Sequence, residues 1–260
     1  MVFEQNLTDD QLKIIEARHH DPFAVLGRHP TKNGIYVRAF LPDTEAATVG
    51  DNLPMQRVQG TDLFEWTGAS DDLTSPYQIH RTTSENQIQS HYDPYSFPPQ
   101  ISDYDLYLFA EGKHWHAYRI LGSHKRTVNG VEGVIFATWA PNAQRVSVVG
   151  TFNRWDGRCH PMRSRGSTGV WELFIPGLDI GELYKFEIRN HHDGSLHLKM
   201  DPYCQQAELR PSTASVVFNS NYQWQDKDWM SGREHAKWLN TPHSVYEVHL
   251  GSWQKHSDGS

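Results

Sequence analysis

Sixteen histidines and two cysteines are the side chains of this 260-residue protein that could most readily hold a metal or act as a nucleophile. The histidines group as His19-His20, His114-x-His116 and His191-His192. Two histidines two apart on a strand share a face and can share a metal, but no third ligand stands at a matching spacing. No metal or other cofactor is expected, and these histidines read as solvated or packed. Cys159 and Cys204 are too few for a disulfide framework and read as free thiols in a reducing compartment. Carboxylates are numerous, yet spacing singles out no pair as acid and base. The segment richest in binding chemistry is Gly150-Thr-Phe-Asn-Arg-Trp-Asp-Gly157, a polar turn carrying one indole. An indole exposed there can stack on a flat C–H face while neighbouring Asn or Lys groups meet hydroxyls.

The elements that must position these residues are announced by an internal repeat. Phe23-Ala-Val-Leu-Gly-Arg-His29 returns as Tyr118-Arg-Ile-Leu-Gly-Ser-His124, and Gly34-Ile-Tyr-Val-Arg-Ala-Phe-Leu-Pro-Asp43 returns as Gly133-Val-Ile-Phe-Ala-Thr-Trp-Ala-Pro-Asn142. Ser75-Pro-Tyr-Gln-Ile-His80 matches Glu182-Leu-Tyr-Lys-Phe-Glu187, and Asp93-Pro-Tyr95 matches Asp201-Pro-Tyr203. A period of roughly a hundred residues is too long for a solenoid and is the size of an immunoglobulin-like sandwich. Tyr184, Phe186 and Ile188 alternate with Lys185, Glu187 and Arg189, which is a strand with one buried face. Asp193-Gly194 supplies a hairpin turn, after which Leu196, Leu198 and Met200 resume the alternation. Further strands are expected at Val146–Val149, Val170–Ile175 and Ala214–Phe218. Thr8-Asp-Asp-Gln11 has capping-box spacing with Leu7 and Leu12 placed as a hydrophobic staple, so a short helix is expected, ending near His19-His20.

Composition narrows the classes. Hydrophobic residues make up 37% and charged residues 21%, which suits a β-rich globular protein rather than a disordered one. The net charge of −7, without a Lys/Arg cluster, argues against nucleic acid as a partner. No apolar run approaches the ~20 residues of a membrane span, so no membrane partner is expected. The opening Met-Val-Phe-Glu-Gln-Asn lacks a basic n-region and an apolar h-region, and a cytoplasmic location is expected. The expected organisation is a helical segment over 1–20, a first sandwich over 21–112, a second over 113–218, a linker strap over 219–243 and the start of a further domain over 244–260. Within it, Tyr104–Trp115 is an aromatic connector expected to pack one sandwich against the other. Ser244-Val-Tyr-Glu-Val-His-Leu-Gly-Ser-Trp253 reads as an apolar strand and turn with seven residues after it, the first strand of a domain that the chain does not contain.

The loop Gly150–Gly157, Trp171-Glu-Leu-Phe-Ile-Pro-Gly177, Tyr184-Lys-Phe186 and Asp201-Pro-Tyr203 together resemble a glycogen-binding carbohydrate-binding module. Followed by Val245–Trp253, the set resembles the N-terminal part of the bacterial 1,4-α-glucan branching enzymes of the α-amylase superfamily. The resemblance implies an all-β fold of two tandem immunoglobulin-like sandwiches, with a C-terminal stub of a truncated (β/α)8 barrel. It implies the non-catalytic region of an enzyme that cleaves an α-1,4 bond and transfers the chain to a 6-hydroxyl of another glucan. The family's two catalytic carboxylates come from later barrel strands, beyond Ser260, so no catalytic residue is assigned and no branching activity is expected of this chain alone. The implied partners are an α-glucan and the catalytic barrel.

Family modules that bind glucan use the tryptophan matching Trp155 and the lysine matching Lys185, and Asn153 stands beside them as the third candidate contact. The family usually adds a second tryptophan on the hairpin read here as Asp193–Leu198, where this chain has Leu196. The alternative for Trp155 is a contact with the barrel, and the incomplete aromatic pair favours it. Trp171, Trp139 and Phe40 read as structural, whereas Tyr36, Trp66 and Tyr77 could be contact or core. A stand-alone glucan-binding or regulatory module and a purely structural tandem of sandwiches remain the competing functions.

Overall fold

The computed structural model describes residues 7–254. The outer ends of the segments expected over 1–20 and 244–260 lie outside the described residues. The first helix, α1 (Asp9–Ile15), is closed by the expected capping box: Thr8 N donates to Gln11 Oε1 at 2.8 Å and Gln11 N donates to Thr8 Oγ1 at 3.2 Å. It stops short of His19. Leu7 packs with Ile14 on the first sandwich while Leu12 stays exposed, so the staple does not form as expected.

Seven antiparallel strands follow: β1 (Gly27–Thr31), β2 (Gly34–Phe40), β3 (Thr44–Val49), β4 (Leu53–Arg57), β5 (Leu63–Gly68), β6 (Gln78–Thr83) and β7 (Ile88–Tyr92). Their order is β1-β2-β5-β4-β3-β6-β7, with β4 pairing on both sides and so joining the two faces of the first sandwich. Ile35, Val37, Val49, Phe64 and Ile79 fill its interior, joined by Trp66 and Tyr77, which settles those two as core.

The second sandwich uses β8 (Gly122–Val128), β9 (Val131–Trp139), β10 (Ala143–Gly150), β11 (Arg163–Ser164), β12 (Val170–Pro176), β13 (Leu183–Asn190), β14 (Leu196–Lys199), β15 (Gln206–Ala207) and β16 (Ser215–Val216). One sheet runs β11-β12-β9-β8; the other runs β10-β13-β16-β15, with β14 also on β13. The inner faces meet in Val134, Phe136, Val146, Val148, Leu173, Tyr184 and Phe186, with Trp171 among them as expected. Both faces of β12 are buried, because the connector covers the outer one. That connector contains α2 (Asp103–Ala110), N-capped by Ser102, whose Leu106 and Phe109 sit on Ala137 and Val170 of the second sandwich. The aromatic segment thus clads the second sandwich. The apolar contacts that cross between sandwiches include those of Phe23, Tyr95 and Phe97. Glu172, deeply buried on β12, accepts from Ile101 N at 2.9 Å and from Arg165 Nη1 at 2.7 Å, so one carboxylate anchors the connector.

The repeat has a chemical core. Asp93 accepts the Tyr77 hydroxyl at 2.6 Å and the Tyr95 amide at 3.0 Å; Asp201 accepts the Tyr184 hydroxyl at 2.5 Å and the Tyr203 amide at 2.8 Å. Each Asp-Pro-Tyr turn closes its sandwich by meeting a buried tyrosine hydroxyl and an otherwise unpaired amide with one carboxylate. Burial pushes Asp93 up to about 6 and raises Asp201.

Met1–Asn219 form one unit and Ser220–Ser260 a second. The second contains the short helices α3 (Lys227–Gly232) and α4 (Leu250–Trp253). Residues 245–249 form no strand, contrary to expectation, and Val245 and Tyr246 are exposed. A strand is made by its hydrogen-bonded neighbours, and among the described residues nothing pairs with this segment. No helix of the described residues is long and apolar enough to cross a membrane.

Candidate saccharide-binding loop

Strand β10 ends at Gly150, and the chain then turns sharply through Thr151–Asn153 before Arg154 and Trp155. Both adopt left-handed backbone, with φ of 55° and 62°, a conformation that L side chains resist. Hydrogen bonds hold this corner. Trp155 N donates to Gly150 O at 2.9 Å, Asp156 N to Asn153 O at 3.1 Å and Gly150 N to Asn153 Oδ1 at 2.9 Å. Asn153 is only 8% exposed. Its amide nitrogen donates to Val148 O and to His160 Nδ1, both at 2.9 Å. Its carbonyl oxygen is occupied by Gly150 N, so the amide orientation is fixed, and His160 Nδ1 must accept. Asn153 is therefore the internal tie of the loop rather than a group aimed at solvent.

Trp155 is 37% exposed, on the outside of this corner. Lys185 lies on β13, opposite Val149 and next to Tyr184, which pairs with Gly150. The register thus brings Trp155 and Lys185 to the same end of one sheet. Lys185 Nζ donates to Thr213 Oγ1 at 2.7 Å and remains open to solvent. Alternation on β13 turns Tyr184 and Phe186 inward and Lys185, Glu187 and Arg189 outward. Leu198 stands opposite Glu187 and Leu196 opposite Arg189 in the β13–β14 hairpin. Leu196 and Leu198 are 54% and 55% exposed, so the resumed alternation places an apolar row on the outer face.

Residues beneath the loop escaped the sequence reading. Arg145, fully buried, bonds Ser147 Oγ, reaches Gly157 O at 2.8 Å and pairs with Glu187 at 2.6 Å. Nothing local marks Arg145 as buried, since the loop that covers it begins five residues later. A hint lies in Gly157, where any Cβ would collide with the Glu187 carboxylate. Beside the loop, a cavity of about 480 Å³ opens between the sandwiches, lined by Arg81 and His91 from the first and by Arg154, Cys159 and His160 from the second. Burial depresses His91 to about 4 and His160 to about 3, so both imidazoles are neutral near pH 7, and it pushes the Cys159 thiol up to about 12, which leaves it unreactive. Among the described residues no group of three or more His, Cys, Asp or Glu could hold a metal ion.

The fold is a pair of β-sandwiches, with Trp155 and Lys185 standing outward at one end of the second. Residues 120–204 match carbohydrate-binding module 48, the isoamylase N-terminal domain, and residues 8–95 match the N-terminal domain of alpha-1,4-glucan branching enzyme GlgB.

From end to end the chain resembles the N-terminal region of the bacterial 1,4-alpha-glucan branching enzymes. It is 58% identical over 251 residues to the enzyme of Nitrosococcus oceani, covering 95% of this chain and 34% of that protein. The enzymes of Methylococcus capsulatus and Cellvibrio japonicus are each 54% identical, over 97% of this chain and 34% and 36% of theirs. The chain thus spans about a third of the length of the curated relatives it matches. Among solved structures, a pullulanase from Anoxybacillus sp. LM18-11 aligns over 74% of this chain and 27% of its own, with 14% identity and a TM-score of 0.33, too slight a likeness to bear on function.

Proposed function

We propose that this chain is the non-catalytic N-terminal region of a 1,4-α-glucan branching enzyme and holds α-glucan on the second sandwich at Trp155 and Lys185. The observation that carries the reading is the exposed Trp155, presented on a left-handed corner beside an outward lysine, within a segment that matches carbohydrate-binding module 48. The indole face meets the C–H face of a glucose ring, and the ammonium group meets hydroxyls. Asn153 contributes by shaping the loop. In the whole enzyme the reaction is transfer of an α-1,4-glucan segment to a 6-hydroxyl, carried out by a catalytic barrel that is this region's second partner. The setting is cytoplasmic, and the chain by itself is inactive.

A second reading is favoured by Leu196, exposed where the family usually carries another tryptophan. With Leu198 it extends an apolar outer row beside Lys185, and this face, Trp155 included, then meets the barrel. Affinity electrophoresis on glycogen separates the two readings. Retardation of the chain, weakened at least about tenfold in Trp155→Ala, is expected. Absence of retardation in the parent chain transfers the loop to the barrel contact. Branching activity on amylose, run in parallel, would overturn the non-catalytic assignment.

A further inference from the structure

The Trp155 loop is fastened from both sandwiches. Within its own module, Asn153 and Arg145 tie it down from inside. From the first sandwich comes Tyr95, whose hydroxyl reaches Pro161 O at 3.2 Å and Cys159 O at 3.5 Å on the returning limb. Tyr95 is itself held in place: Phe23 packs edge-on against it at 5.0 Å, and the Arg163 guanidinium lies 3.2 Å over Phe23 while donating to Phe97 O at 2.7 Å. The advancing limb is met by Asp43, which pairs with Arg154 at 2.9 Å.

The repeat shows that this reach is not a requirement of the fold. Tyr95 and Tyr203 occupy the same place in the two Asp-Pro-Tyr turns, and both amides are bonded to their aspartates. The Tyr203 ring packs within its own module, against the cluster of Leu106, Ile120 and Leu121. The Tyr95 ring packs on the core of its own module and on that of the next, and its hydroxyl bonds the next module's loop. Closing a sandwich does not need that crossing. Between these two fastenings the Arg158 guanidinium lies 5.8 Å over the Phe40 ring, and the cavity is lined by Arg81 and His91 on its first-sandwich side.

We propose that Tyr95 of the first sandwich is a positioning residue for saccharide binding by the second, setting the corner on which Trp155 is presented. The proposal rests on the reading of that loop as the glucan-holding site. The N-terminal module then serves to hold the neighbouring loop in its strained, left-handed form. The Asp43–Arg154 pair, exposed on both sides, is the weaker fastening.

The test is amide hydrogen exchange and glycogen affinity measured on the full chain and on Tyr95→Phe, which keeps the ring and removes only the hydroxyl. Losing one hydrogen bond to a buried carbonyl is expected to speed exchange over 151–160 roughly fivefold and to weaken glycogen binding by a similar factor. Exchange in β9 and β12, and the thermal midpoint, should move little. Asp43→Ala should change either readout by about twofold at most. Unchanged loop exchange in Tyr95→Phe overturns the proposal. So does faster exchange with unaltered affinity in a protein whose Trp155→Ala variant loses binding, because the loop is then not set for its ligand by Tyr95. A parent chain that ignores glycogen defeats the glucan reading and the saccharide part of the proposal, while exchange, measured without ligand, still decides whether Tyr95 sets the loop.

Discussion

Acid should loosen the junction between the sandwiches, and His91 and His160 set the size of the effect. Both line the cavity, one from each module, and both are held below the ordinary histidine value by burial first, with repulsion from Arg81 and His80 adding to it at His91 and from His91 and Arg81 at His160. His160 has a structural stake as well, since its Nδ1 accepts from Asn153 and an imidazolium would lose that bond. Above about pH 6.5 the histidines are neutral in the folded and unfolded chains alike, so their contribution is fully present. Below that value the unfolded chain takes up protons that the folded one refuses, and stability falls until the folded values of about 4 and about 3 are reached. Between pH 7 and pH 4 this amounts to about 3 kcal/mol for each imidazole. Asp93 works in the opposite direction. Its value of about 6 means the folded chain binds a proton more readily, which returns about 2 kcal/mol over the same range. His19, also lowered by burial, adds to the loss and Asp201, raised by burial, offsets it, so the net loss is on the order of a few kcal/mol and the thermal midpoint falls with it. Urea unfolding at pH 7 and pH 4, on the parent chain and on a His91→Gln/His160→Gln double variant, measures it. The variant should lose none of the histidine share, whatever its stability at pH 7. A double variant that loses as much as the parent between the two pH values would refute the reasoning.

Two further substitutions probe the supports. Glu172→Ala removes the acceptor of the Ile101 amide and of Arg165 from a buried position, and the urea midpoint should fall by the equivalent of about 3–5 kcal/mol; a change below about 1 kcal/mol would mean that the cluster behaves as a surface pair. Gly150 has ordinary extended backbone, so Gly150→Ala tests space alone: the new methyl would run into the Leu183 carbonyl where β10 meets β13, and should cost about 1–3 kcal/mol by thermal denaturation. Glycogen affinity should fall in the same variant, because the Trp155 amide is bonded to that residue.

Much of the architecture was legible because it is local or repeated. The capping box at Thr8, the hairpin after Asn190 and the alternation on β13 each depend on residues a few positions apart, and each formed. The paired Asp-Pro-Tyr turns announced two modules. Less legible was anything set by what lies on top. Apolar residues run almost unbroken along β12, which periodicity alone cannot tell from a strand buried on one face; it is buried on both because α2 and its flanks cover it. The connector's aromatics revealed that it was not a loose tether, but not which sandwich it would clad.

The sequence alone determined that this is a β-rich tandem with an indole on a polar turn, because those properties follow from residue types and short spacings. Tertiary structure decided what the turn's residues do. Asn153 reads as a candidate contact on the chain and becomes a tie, since Gly150, Val148 and His160 converge on its amide. Trp155 stands outward, 37% exposed, on a left-handed corner. Arg145 and Tyr95 support that corner from 10 and 60 residues away. Such contacts are long-range, created when sheets stack and modules meet, and no local pattern in the chain encodes which distant side chain will arrive.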